Sequence, residues 1–246
     1  MTDGSRMIPT GWLLTPLGQR CLAEEQSLIG RALEQVFGER LLQIGAWGQP
    51  ETFVSCARTH RSTLLDWHPQ AGTDIVSLAS RLAVASDSVD AVLLPHTLEV
   101  IPSPHALLRE VARVLRADGH LLVLGFSPGS FWGLRHLFSP RRGYPPGHRR
   151  FIPERRLRDW LELLSLEVHS RVRYCHTLPV EGIKQLRIFP KEEWAARWLP
   201  MLGGGYLMAA QKRVYPMTVI RPGWRNQRFK AVGGLVEPTL RVASVR

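Results

Sequence analysis

A doubly wound α/β sheet is the architecture this sequence predicts, and three observations predict it. Short apolar runs bounded by turn residues alternate with stretches of helical periodicity along most of the 246 residues. The first such run, Arg40 to Ile44, is broken by Gly45 and Gly48 where a helix should begin. Asp66 closes the second run 21 residues after Gly45, about the length that a strand, turn, helix and second strand require.

The elements follow in order. Thr15 to Phe37 carries apolar residues at Leu22, Leu28, Ile29, Leu33 and Val36, roughly helical spacing, with Gly38 after it as a stop. After the first strand and its glycine turn, Glu51 to Arg58 reads as a short helix and Ser62 to Leu65 as the second strand. Asp74 to Leu78 is a third short strand and Ala83 to Ser88 a loop. Val89 to Leu94 is nearly continuous in apolar character, which suits a parallel strand covered on both faces. Ser103 reads as a cap and Pro104 as the first helical residue. Leu107, Leu108, Val111, Val114 and Leu115 then form one face, and Asp118-Gly119 closes the helix. His120 to Phe126 is the fifth strand; Phe151 to Leu164 is a helix, with Leu157, Trp160, Leu161 and Leu164 on its apolar face; and Leu166 to Tyr174 and Gly205 to Val214 are the last two strands.

The glycine turn has a chemical reading beside a structural one. A strand-to-helix turn leaves backbone N–H groups unpaired next to an unblocked main chain, a seat for the polar part of a nucleotide-like ligand. Two glycines at this spacing also arise from packing alone. An acid at the tip of the second strand can accept hydrogen bonds from both hydroxyls of a ribose held over such a turn, so Asp66 reads as a ribose ligand, with a turn acid or helix cap as the alternative.

Composition bounds the remainder. With 44% apolar residues the chain can build a substantial core, and no apolar run approaches the roughly 20 residues needed to cross a bilayer. The N-terminus lacks the charged-then-apolar layout of a signal, so a cytoplasmic protein is expected. Cys21, Cys56 and Cys175 show no zinc or disulfide spacing and read as ordinary thiols. The net charge of +11 is concentrated: Arg135–Arg158 and Lys212–Arg246 each carry +7, which leaves the remainder at −3. Such segments suit nucleic acid, an anionic surface or an acidic partner, or are solvated loops.

The run SDSVDAVLLPHTLEVIPSPHALLREVARVLRADGHLLVLGF resembles the fourth strand, following helix and fifth strand of class I S-adenosylmethionine-dependent methyltransferases, of the kind known as methyltransferase domain 11. Asp90, Leu98 with Glu99, Pro104, Glu110 with Arg113 and Leu115, and Gly119 stand where that family's motif places them. The resemblance implies a seven-stranded Rossmann-like sheet, mostly parallel, with an antiparallel last strand inserted at the sheet edge and helices on both faces. It covers residues 22–214, with 1–21 as an N-terminal segment, 127–150 as a basic, aromatic lid and 215–246 as a basic tail.

Carried over residue by residue, the resemblance implies that S-adenosyl-L-methionine is the cofactor. Gln43, Gly45, Ala46, Trp47 and Gly48 fall on the glycine-rich loop, Asp66 on the ribose acid, Leu78 and Ala79 near the adenine, and Pro95 and His96 at the end of the fourth strand. Only the first glycine of the loop matches; Gln43 replaces an acid, Trp47 and Gln49 replace glycines, and Gly48 stands one place off register.

The implied chemistry is attack of a nucleophile on the methyl carbon of a sulfonium, where alignment alone can supply on the order of 7 to 11 kcal/mol at best. It requires no fixed catalytic residue, and none is assigned, nor any metal ligand. His96 and Glu99 stand where a substrate proton could be accepted, although His96 equally reads as a satisfied side chain at a strand end. A small-molecule acceptor is the leading expectation, since neither an Asp/Asn-Pro-Pro-aromatic motif nor a Pro-Cys pair follows strand four. The alternatives are a noncatalytic or partner-dependent methyltransferase-like protein, and an RNA or protein methyltransferase using its basic segments. An indole at Trp47 that plugged the hollow, with Asp66 turned away, would leave ancestry alone.

Overall fold

The computed structural model describes residues 10–139, 144–177, 179 and 203–213. The chain divides into two units, Met1–Val214 and Tyr215–Arg246, and every described residue belongs to the first. The basic tail, with Arg141 and Arg142 of the other basic segment, lies outside the described residues.

In chain order the elements are α1 (Thr10–Leu13), α2 (Pro16–Leu33), β1 (Arg40–Ile44), α3 (Glu51–Val54), β2 (Arg61–Asp66), β3 (Ile75–Val76) and β4 (Val89–Pro95). They continue with α4 (Thr97–Val100), α5 (Pro104–Val114), β5 (Leu115–Phe126), α6 (Phe131–Leu137), α7 (Glu154–Glu162), β6 (Leu166–Tyr174) and β7 (Gly205–Lys212). The seven strands form one sheet in the order β3-β2-β1-β4-β5-β7-β6. β1 to β5 pair in parallel, and β7 runs antiparallel to both β5 and β6. The expectation that the antiparallel strand stands at the edge is therefore corrected: β7 is inserted between β5 and β6, and β6 is the edge. Its sequence allows this, since Gly205–Ala210 is buried throughout as an interior strand must be.

Strand alternation sends side chains to two cores. Leu42, Ile44, Val92, Leu94, Leu121 and Val123 face the side covered by α5 and α7. Leu41, Ala91, Leu93, Leu122, Leu124 and Phe126 face Trp12, Ile29, Leu33, Phe53 and Trp132, brought by α1, α2, α3 and α6. The boundary drawn at residue 21 thus falls inside α2.

Several elements are shorter than their patterns predict, each for a local reason. α3 ends at Val54 because the next amides close tighter i→i+3 bonds, Cys56 N–H to Phe53 O and Ala57 N–H to Val54 O. α7 starts at Glu154, not Phe151, since Pro153 is itself extended at ψ 136° and disfavours a helical residue before it. β3 is two residues long because Asp74 occupies the β2 edge itself, its carboxylate accepting the Leu64 N–H at 2.8 Å. Ser103 makes no side-chain cap; its carbonyl accepts the Ala106 and Leu107 amides.

Motif residues of the β4–β5 run prove to be braces. Arg113 donates to the carbonyls of Leu82 and Val84 while Glu110 accepts the Leu82 N–H, pinning the loop before β4. Asp90 Oδ2 accepts the amides of Glu39 and Arg40, both at 2.9 Å, and Oδ1 pairs with Arg116 at 2.9 Å. Partial burial works against the Asp90 carboxylate, but those two amides and the guanidinium outweigh it and hold its pKa below 3.8. A depressed folded pKa contributes stability above the unfolded value and loses it as pH falls through the folded one. Asp90→Asn should therefore cost about 1–2 kcal/mol at neutral pH, with a smaller difference from wild type at pH 3. Urea unfolding at both pH values checks this; a cost independent of pH would remove the charge from the argument.

Candidate functional site

Strand order reverses between β1 and β4, and ligands of open α/β sheets sit outside the carboxyl ends of the strands at such a switch point. Two segments meet there. Gly45 turns the chain with φ +88°, and a Cβ on it would lie 2.8 Å from Thr97 Oγ1, so only glycine fits. His96 follows β4 at φ 56°, a left-handed conformation rare outside glycine that directs its imidazole back beneath the loop.

The hollow beneath the loop is filled. Trp47 is 1% exposed, its ring centroid 4.4 Å from His96, and its indole N–H donates to Glu25 Oε2 at 2.6 Å. Glu25 belongs to the buried stripe of α2, Cys21–Glu25–Ile29–Leu33, at i, i+4 spacing. Its Oε1 accepts from Tyr174 Oη at 2.9 Å, His96 Nε2 at 3.1 Å and Cys21 Sγ at 3.1 Å. His96 Nδ1 faces Glu99 Oε2 at 3.0 Å, and Glu99 Oε1 accepts the Phe126 amide at 2.7 Å. His148, from the segment before α7, completes the cluster with its Nε2 3.6 Å from Glu99 Oε2.

These groups perturb one another. Burial works against the His96 imidazolium, but the carboxylates of Glu25 and Glu99 overrule it and lift its pKa to about 9. Burial, reinforced by His96, drives His148 down to about 3. Burial raises Glu99 although His96 and the Phe126 amide pull the other way. Burial also pushes the Tyr174 and Cys21 protons on more firmly, so neither hydroxyl nor thiol is a ready nucleophile.

Outside the loop, an open cleft of about 480 Å³ runs between α1–α2 and the end of β2. Leu13, Leu14, Gln19 and Leu22 form one wall; Ala46, Gly48, Gln49 and Pro50 form the next; Asp66, Trp67, His68, Gln70 and Ala71 close it. Its volume suits a cofactor-sized ligand. Asp66 Oδ2 accepts the Ala46 amide at 3.1 Å and the Gln70 side-chain amide at 2.8 Å, and Oδ1 accepts the His68 amide at 3.1 Å.

The sequence-predicted residues thus separate. Ala46, Gly48 and Asp66 line the cleft. Gly45 makes the turn behind it; Trp47, Pro95 and His96 lie buried in or beside the hollow. Gln43 is buried in β1, its Nε2 donating to Gly45 O while its Oε1 has no hydrogen-bond partner. Leu78 is 68% exposed and Ala79 packs against the α5 core, neither reaching the cleft. Sequence reasoning missed Glu25, His148 and Tyr174. An acid at a position of the apolar i, i+4 series was the available signal for Glu25; the other two carried none.

Residues 51–123 match the family model described as "Methyltransferase domain". The chain is 34% identical over 215 residues, 86% of its own length and 84% of the other's, to the uncharacterized protein YafS of Escherichia coli K12. The chain belongs to the class I S-adenosylmethionine-dependent methyltransferases. The cofactor of that family is S-adenosylmethionine, and the family match begins at Glu51, just past the altered loop. Two solved structures are similar in fold. A putative methyltransferase of Bacillus halodurans superposes with TM-score 0.56 at 15% identity, over 78% of this chain and 100% of that one. The 1,6-didemethyltoxoflavin-N1-methyltransferase of Burkholderia thailandensis, with bound 1,6-didemethyltoxoflavin and S-adenosylhomocysteine, gives 0.52 at 17% identity over 82% and 81%. No helix among the described residues is long and apolar enough to cross a membrane.

If Glu25 is the anchor of the hollow, removing one donor leaves a buried carboxylate oxygen short of a partner. Tyr174→Phe should lower stability by about 1–3 kcal/mol. Denaturant unfolding measures it; an unchanged midpoint would mean that Tyr174 contributes only its ring.

Proposed function

We propose that this methyltransferase-fold chain is an active enzyme that binds S-adenosylmethionine with its nucleoside end in the cleft and methylates a small molecule. The observation that carries the reading is Asp66, at the carboxyl end of β2 with its carboxylate on the cleft wall. Two of its acceptor positions are committed to the Ala46 and His68 amides, which fix it; the third partner is the Gln70 amide, at the end of an exposed side chain that can swing aside. A ribose hydroxyl can donate in its place. Bound there, S-adenosylmethionine supplies an electrophilic methyl on a sulfonium leaving group. The chain's part is to orient and to exclude water: Asp66 grips, Leu13 and Leu22 cover, and Trp67 stands in the lining beside them.

A small acceptor suits the cleft better than a nucleic acid does. Its lining contains no Lys or Arg, and phosphate binding depends on them. In the segment expected as a lid, Trp132 and Tyr144 are buried in the α2-side core, whereas Phe131 and Phe138 are exposed.

One observation favours a second reading, a noncatalytic scaffold: Trp47 occupies the hollow under the loop. Calorimetry with S-adenosylhomocysteine on the full chain separates the two. Saturable binding is expected, weakened by about 1–3 kcal/mol in Asp66→Ala and unchanged or tightened in Gln70→Ala. Folded wild-type protein without any heat of binding would leave the scaffold reading in possession.

A further inference from the structure

His96, Glu99 and His148 each offer one ligand-type atom, and the three atoms lie within 4.8 Å of one another. Glu99 Oε2 stands 3.0 Å from His96 Nδ1 and 3.6 Å from His148 Nε2. Donors held at about 2.0–2.2 Å around a tetrahedral ion are roughly 3.4 Å apart. The two separations lie on either side of that value.

The tautomer of His148 sharpens the point. Its Nδ1 is 3.0 Å from the Pro145 carbonyl, which can only accept, so the ring proton is on Nδ1 and Nε2 carries a bare lone pair. That Nε2 is buried without a hydrogen-bond partner and faces an oxygen of Glu99 that also carries lone pairs. Two facing acceptors sealed from water are costly unless a positive centre lies between them.

Each inward atom is backed by a fixed outward contact. His96 Nε2 is bonded to Glu25, which Trp47 and Tyr174 hold in turn; His148 Nδ1 is bonded to a backbone carbonyl; Glu99 Oε1 is bonded to the Phe126 amide. Carboxylate or carbonyl on the far nitrogen of an inward-facing imidazole is the arrangement that orients metal-binding histidines. The enclosure also holds two carboxylates against two imidazoles, so a dication is matched in charge.

We propose that His96 Nδ1, Glu99 Oε2 and His148 Nε2 form a binding site for one divalent first-row transition ion, with zinc the best match. Two imidazole nitrogens and one carboxylate oxygen suit zinc, whereas magnesium and calcium favour all-oxygen sets. Binding releases the proton between His96 and Glu99, since Nδ1 must present its lone pair. The ion clamps the end of β4, helix α4 and the segment before α7 together. None of the three ligands lines the cleft, so this site stands whether or not the cleft binds S-adenosylmethionine.

Because the site is closed to solvent, loading is tested by refolding. Untagged full-length chain is analysed for metals as isolated, then refolded from denaturant with either a chelator or Co²⁺. About one equivalent of zinc or another transition ion is expected as isolated, with a visible absorption from nitrogen- and oxygen-bound Co²⁺ after refolding and a higher unfolding midpoint than with chelator. His148→Phe keeps the ring volume and removes the bare nitrogen; it should fold, bind no stoichiometric ion and show a midpoint that chelator does not move. Glu99→Gln should also lose the ion, and if it fails to fold, His148→Phe decides alone. Metal-free protein whose refolded form leaves Co²⁺ with its aqueous spectrum overturns the proposal, as does His148→Phe binding like wild type.

Discussion

Burying a carboxylate on the sheet-facing stripe of a helix costs several kcal/mol unless donors surround it, and the Glu25 side chain is surrounded by four. Those donors come from α2 itself, the β1 loop, the end of β4 and the end of β6. The loop tryptophan points inward because its indole N–H has a partner there, and His96 accepts a left-handed backbone because its ring bridges Glu25 and Glu99. The shape of the sheet's carboxyl edge at the switch point thus follows from one acid in an otherwise apolar stripe.

With the hollow at the switch point occupied, the remaining space is displaced outward. The cleft lies past the loop, over the end of β2, and Asp66 is the polar group common to the loop and the cleft, through its bond to the Ala46 amide. The cleft and the buried cluster share no lining residue, although Ala46 on the cleft wall and Trp47 against His96 are neighbours in the chain.

Sequence reasoning recovered the sheet because strands buried on both faces read as apolar runs, and the β4–β5 run carried a motif long enough to orient the rest. It misjudged lengths where hydrogen bonds that no period records end an element early, as the Asp74 carboxylate does for β3 and the tighter i→i+3 bonds of the Cys56 and Ala57 amides do for α3. It placed the antiparallel strand at the edge, since the pattern of Gly205–Val214 indicates a strand but not its neighbours. Of the candidate site, the glycine turn and the position of Asp66 at the end of β2 were legible because spacing along the chain sets them. The Glu25–His96–Glu99–His148–Tyr174 cluster was not, because its members converge from separations as large as 149 residues and no local period records that.

The off-register glycine explains how a tryptophan is tolerated in this loop at all. A strand-to-helix reversal needs a residue in the left-handed region near its end, and here Gly48 supplies it at φ +78° while Gly45 opens the turn at φ +88°. Trp47 is not among the positive-φ residues, so position 47 is free to carry a side chain, and Glu25 gives that side chain a reason to point inward. The bare stretch of main chain is moved, not lost. A Cβ on Gly48 would meet Thr52 Oγ1 at 3.1 Å and Leu22 Cδ2 at 3.2 Å, so the space beside this glycine is already taken by side chains of α3 and α2. Gly48, Gln49 and Pro50 line the cleft beside Asp66, and the space above β4, closed by indole and imidazole, is left to the buried cluster.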